Sequence, residues 1–404
     1  MKTLKAAGLI VLLTLGIFSG SSFAQNDQNT QINVIERFST YKATSKSKID
    51  FLPLTEVLQA TVLPFGRSKG ILGTEGKSKK FVNSNISFGN YGPSRFEGNR
   101  LFLHSMGEDY EMYYSDLIVG LENLSNSRPL SSFSKDAQLT YWLNLHNMIV
   151  VRELIREYPI RKLNGFKKAK RGNPAFWDQK VVTIEGVPLS LTDIEKIVMG
   201  NWQSPLVIYG FFQGSIGGPT LARNAFTSKN VWQQLEKNAI EFVNSNRGAR
   251  PKGSKMLVSK FYAWTAAAFD NSDQKILAHI KEYSDPAFHG NISGISTINP
   301  GYYDWMVADL AGGLVHGGAD VDSAQVLAAR LNNASDRYAF QSFLENNMGL
   351  RRAGLANMPQ AGLELLADVF INNNVPLLIS IAGSGGCTDE KGCGNTATLA
   401  KTEK

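Results

Sequence analysis

The sequence predicts an α+β fold, mostly helical, built around a small central sheet and followed by a C-terminal helical extension. Two observations carry this. Apolar residues recur at helical spacing over Glu108–Leu124 and again from Ser134 to about Tyr158. Only short β-branched or apolar runs, Val181–Ile184, Leu206–Phe212 and Lys255–Val258, are left to serve as strands.

Met1–Ala24 has the three parts of an export signal: Lys2 and Lys5, an apolar run from Ala6 to Phe18, and a Ser22-Phe23-Ala24 cleavage pattern. That run is shorter than the roughly 20 residues a membrane-spanning helix needs. The expectation is a mature chain that starts at Gln25, has no membrane span and is periplasmic or secreted; an uncleaved anchor is the alternative. Losing Lys2 and Lys5 leaves 40 basic against 35 acidic side chains, a net of +5. So small an excess is no nucleic-acid signature. Cys387 and Cys393, the only two cysteines, lie in a Gly-rich tail, and in an exported chain they point to a disulfide. Two thiols without an adjacent His fall short of a four-ligand zinc site.

Residues 25–98 are polar and weakly periodic and read as an irregular lead-in, with short strands or turns at Phe51–Leu54 and Gly70–Leu72. The core spans 99–290. Its first helix, from Glu108, would bury Met112, Tyr113, Leu117, Leu121 and Leu124. Ser134 caps the second, whose buried face would hold Leu139, Trp142, Leu143 and Val150. A basic loop follows from Arg161 to Arg171. The Val181–Ile184 strand turns at Gly186, and Ser190-Leu-Thr-Asp193 is a capping box opening a helix to about Met199. Leu206–Phe212 runs into the turn Gly214–Gly218 as a buried strand would. Helices are expected over Val231–Asn244, Lys260–Phe269 and Gln274–Tyr283. Residues 291–404 read as the extension, with helical patches at Met306–Leu314, Ala324–Leu331, Ala339–Asn346 and Leu363–Phe370.

Three segments place polar side chains inside apolar elements, which costs free energy unless those groups are paired or used. They hold Asn144, His146 and Asn147; Glu195; and Gln213 with Ser215. Their motifs are Trp142-x-Asn144-x-His146-Asn147, Ser190-Leu191-x-x-Ile194-Glu195, Gly214-Ser215-x-x-x-Pro219 and Ser259-Lys260-x-x-x-Trp264, in that order. Together they resemble the bacterial and plant family called domain of unknown function 547, over about Lys135–Tyr283. Many members of that family carry a Cys before the Gly-Ser turn and a His after the Ile-Glu pair, which would permit thiol chemistry. This chain has Gln213 and Lys196 there.

The resemblance therefore implies a divergent member, binding an envelope component or small ligand without catalysis. Asn144, Asn147, Gln213 and Lys260 are the candidate ligand contacts. The competing reading is a hydrolase of an amide or ester acting through Ser215 or Glu195, with His146 as a further candidate. Each residue also has an ordinary structural role open to it: helix hydrogen bonding for Asn144 and Asn147, ring packing for His146, an ion pair for Glu195, loop support for Gln213. The scattered histidines form no ligand pattern and no phosphate loop or dinucleotide fingerprint occurs, so neither metal nor cofactor is expected.

Overall fold

The computed structural model describes residues 33–65, 94, 97–169 and 174–313. The helices are α1 (Val34–Arg37), α2 (Leu52–Thr61), α3 (Glu108–Ser127), α4 (Lys135–Arg156), α5 (Leu191–Asn201), α6 (Val231–Val243), α7 (Lys260–Trp264), α8 (Asp273–Glu282) and α9 (Pro286–Ile292). The strands are β1 (Val62–Leu63), β2 (Arg100–Leu101), β3 (Val182–Ile184), β4 (Val187–Leu189), β5 (Ala249–Lys252), β6 (Lys255–Ser259) and β7 (Thr297–Tyr302). The class is α+β, with helices around small sheets. No helix among the described residues is long and apolar enough to cross a membrane.

Helix α4 is the centre of the core, and every residue from Ala137 to Val151 is buried. Ser134 starts it as expected, its hydroxyl accepting from Ala137 N at 3.3 Å. Burial on all sides obliges each polar side chain to find an internal partner. Gln138 donates to Leu130 O at 2.7 Å, and Thr140 donates to Ala137 O at 2.8 Å. Helix α5 begins at the expected capping box: Ser190 Oγ accepts from Asp193 N, and Asp193 accepts from Ser190 N at 2.8 Å. The β3–β4 hairpin turns on Glu185 (φ 49°) and Gly186 (φ 78°), two left-handed residues that match the twist of the paired strands.

Four local expectations need correction. The lead-in is helical where Phe51–Leu54 was expected as strand or turn: Pro53 sits in the first turn of α2, which buries Leu54, Val57, Leu58 and Thr61. Helix α3 buries Tyr114, Ile118, Leu121 and Ser125, a face about one residue round from the expected one. Met112 and Tyr113 point to solvent.

Leu206–Phe212 is no strand. Pro205–Gly210 is a 3-10 segment capped by Ser204, and buried carbonyls at its end are met by side chains: Asn238 donates to Tyr209 O and Asn147 to Gly210 O. Gly210 leaves room for Leu143 and Leu235, whose methyls a Cβ there would meet at 2.7 and 3.0 Å. The three expected strands therefore do not share one central sheet. The actual sheets are β1–β2, β3–β4 and β5–β6–β7, with β7 parallel to β6.

Met306–Leu314 is not helical through residue 313. After β7 the chain runs as a strap whose backbone bonds go to three distant segments: Leu163 N donates to Trp305 O, Val307 N to Arg161 O, Ala308 N to Gly214 O, and Leu310 N to Leu101 O. Every group so used is lost to a helical ladder. The later helical patches, Gly70–Leu72, the export signal and the Cys387/Cys393 pair lie outside the described residues.

Candidate functional site

The strap draws the basic loop, the Gly214–Gly218 turn and α7 around the buried end of one side chain, Glu195. Three donors converge on Glu195 Oε1, each at 3.1 Å: His146 Nε2 from α4, Trp177 Nε1 from the 3-10 turn Phe176–Asp178, and Gln213 Nε2. Oε2 has no hydrogen-bond partner among the described residues, and the side chain keeps 12% exposure. Burial pushes the carboxyl up. Lys167, His146 and Gln213 together outweigh burial and hold it down at about 2.

Lys167 comes from the basic loop that begins at Arg161, and it is folded inward. Its ammonium lies 4.1 Å from the Trp177 ring centre and 5.0 Å from that of Trp264. Burial lowers its affinity for a proton, and the negative charges of Glu195 and Asp178 partly restore it. No hydrogen bond or ion pair is closed on Nζ among the described residues.

Beside it stand Tyr303 and Trp305 of the strap, with ring centres 4.7 and 5.4 Å from Trp264. Trp264 itself is 36% exposed. Ser215 is buried and its hydroxyl is 2.6 Å from that of Tyr303, whose phenol burial pushes up. Gln213 Oε1 is buried and has no hydrogen-bond partner among the described residues.

Of the sequence candidates, Glu195, His146 and Gln213 therefore meet directly, and Ser215 reaches the edge of the cluster through Tyr303. Asn147 supports it from behind: Nδ2 donates to Gly210 O at 3.0 Å, Oδ1 accepts from Phe212 N at 3.0 Å, and the same Oδ1 is 3.2 Å from His146 Nδ1. Both imidazole nitrogens are thus engaged.

Asn144 does not join them. It brackets the Phe226 peptide, donating to its O at 2.8 Å and accepting from its N at 3.0 Å. Lys260 is exposed at the start of α7. Lys196 is exposed too, beside Glu195 in α5.

Trp177, Tyr303 and Trp305 were not singled out from sequence, and Lys167 was marked only as a member of the basic loop. Trp177 alone had a local signal, an aromatic pair with Phe176 in a short loop after the basic run.

Residues 130–243 match the model of a family described as a protein of unknown function, DUF547. The match takes in the motifs at Trp142, Ser190 and Gly214 and stops before the Ser259–Trp264 segment. No curated protein and no solved structure matches the chain.

Proposed function

We propose that this chain is an exported binding protein, non-catalytic at this site, that holds an envelope component or small ligand against the Glu195 cluster. The observation that carries the reading is the convergence of donors on one carboxylate oxygen. A carboxyl held at about 2 is a feeble base and is never an acid at neutral pH, whereas general acid–base catalysis needs a group that exchanges its proton near the working pH. Gln213 puts an amide where a nucleophile would stand. Ser215 is bound to a phenol that accepts no proton at neutral pH. Fixed donors gathered on a carboxylate that keeps no proton suit recognition better than turnover.

The test uses the mature chain, incubated with envelope extract and repurified. Mass spectrometry should recover a released small molecule, while p-nitrophenyl esters and anilides turn over no faster than in buffer. Turnover that disappears in Ser215→Ala or Glu195→Gln, with the fold intact, would establish the hydrolase reading instead. Export rests on the first 24 residues and predicts an N-terminus at Gln25 in periplasmic or culture fractions. In that compartment Cys387 and Cys393 pair. Thiol titration of the unfolded, unreduced chain should find no free thiol, and two free thiols would refute the pairing.

A further inference from the structure

Lys167 and Glu195 offer unused hydrogen-bonding capacity beside an exposed indole, and few ligand chemistries satisfy all three. The ammonium donates no hydrogen bond among the described residues although it is packed between Trp177 and Trp264. Glu195 Oε2 accepts none, while its partner oxygen accepts from His146, Trp177 and Gln213. Trp264 is 36% exposed and packs at a tilt against Tyr303 and Trp305, whose ring centres are themselves 4.6 Å apart.

A cationic ligand is excluded, because Lys167 already holds the cation seat on these rings and would repel it. A purely apolar ligand would cover the ammonium and the carboxylate without pairing either, which is strongly unfavourable. A bare anion would meet Lys167 but would face Glu195 Oε2 with like charge and would leave the indole unused. A pyranose meets every requirement. Its C–H face stacks on an indole, and a pair of vicinal hydroxyls at its rim accepts from an ammonium and donates to a carboxylate at the same time.

We propose that the ligand is a saccharide stacked on Trp264, with neighbouring hydroxyls bridging Lys167 Nζ and Glu195 Oε2. This rests on the binding reading above and names its ligand class. Gln213 and Ser215 then serve as positioning residues, the first fixing the Glu195 carboxylate and the second the Tyr303 ring. Among the described residues of the basic loop, Lys167 is the side chain that faces the Glu195 cluster.

The mature full-length chain is titrated with cellotriose, maltotriose and N,N′,N″-triacetylchitotriose, read by tryptophan fluorescence and by calorimetry. At least one should bind saturably and perturb the emission. Trp264→Ala and Lys167→Met should each weaken that binding about tenfold or more, with unchanged circular dichroism. Met112→Ala on the exposed face of α3 should leave it unchanged. If none of the three sugars binds up to its solubility limit, or if binding ignores both substitutions, the saccharide inference is overturned. Recovery of a non-sugar ligand from envelope extract would sink this inference and leave the binding reading standing. Turnover dependent on Ser215 or Glu195 would sink the binding reading itself.

Discussion

A carboxyl group as buried as that of Glu195 would take up a proton if its surroundings were apolar. It stays ionised because three uncharged or titratable donors and one ammonium face it, so the residues of the cluster are unequal in value. Glu195→Gln keeps the shape but leaves Lys167 without its nearest negative charge and presents an NH2 toward other donors. The expected loss is about 3 kcal/mol, in the range for breaking one side of a buried pair, measurable by urea unfolding at pH 7. Gln213→Ala removes one donor of several and also removes the orphaned Oε1, so it should cost about 1 kcal/mol or less. A larger loss for Gln213→Ala than for Glu195→Gln would contradict this account of the cluster. Asn144→Ala should cost about 2 kcal/mol by stranding both polar groups of the Phe226 peptide, without altering ligand binding.

At the scale of elements, the strap after β7 holds the site together, and it does so by close approach of backbone to backbone. A Cβ on Gly217 would meet Asp304 N at 2.5 Å and Asp304 O at 2.7 Å, and neither atom can rotate away. Gly217→Ala should therefore destabilise by about 2–3 kcal/mol and also loosen Tyr303 and Trp305, seen as a shifted tryptophan emission. Ser190→Ala removes half of the capping box of α5 and should cost about 1 kcal/mol with the emission unchanged, since the box lies at the far end of a turn from Glu195. These elements also mark what the sequence could and could not reveal. Caps at Ser134 and Ser190 and the turn at Gly186 were legible because their chemistry is local, within a few residues. Glu195, His146 and Gln213 were legible as polar groups set in apolar runs. Leu206–Phe212 was misread because a short, fully buried apolar run has no period that separates strand from helix. The strap was misread because its bonding partners are 90 to 210 residues away in sequence, at Gly214, Arg161 and Leu101. Lys167 was legible only as one of a basic run, since nothing in that run marks the lysine that Trp177 and Trp264 will enclose.

Across the whole molecule, several buried titratable groups pull the pH dependence of stability in opposite directions, and their relative sizes decide the outcome. Burial lowers His104 and His279 from 6.5 to about 4 each. Their neutral forms are favoured in the fold, so the stability they contribute is complete above 6.5 and is lost as the pH falls toward 4. Asp309 works the other way. Burial raises it from 3.8 to about 6 against the backbone bonds from Gly313, Leu103 and Ala311, so its contribution is complete below 3.8 and is lost as the pH rises through 6. Glu195, held at about 2 against an ordinary 4.5, adds stability that is complete above 4.5 and lost as the pH falls through 2. Between pH 6.5 and 4, then, two imidazoles oppose one carboxyl that has moved a comparable distance, and the imidazoles prevail. Stability should decline on acidification through this window, less steeply than the histidines alone would impose. Below 4.5 the loss from Glu195 begins, and once the histidine loss is complete near 4 and the Asp309 gain near 3.8, the decline continues on Glu195 alone. Urea midpoints at pH 7, 5 and 3.5 measure this directly. Replacing both His104 and His279 by Gln should flatten or invert the slope between pH 7 and 5, because Asp309 is then unopposed. Asp309→Asn should steepen the same slope, because the one contribution that grows on acidification is gone. A wild-type chain more stable at pH 5 than at pH 7 would mean that Asp309 outweighs both imidazoles, and the assignment of His104 and His279 as neutral buried rings would have to be abandoned.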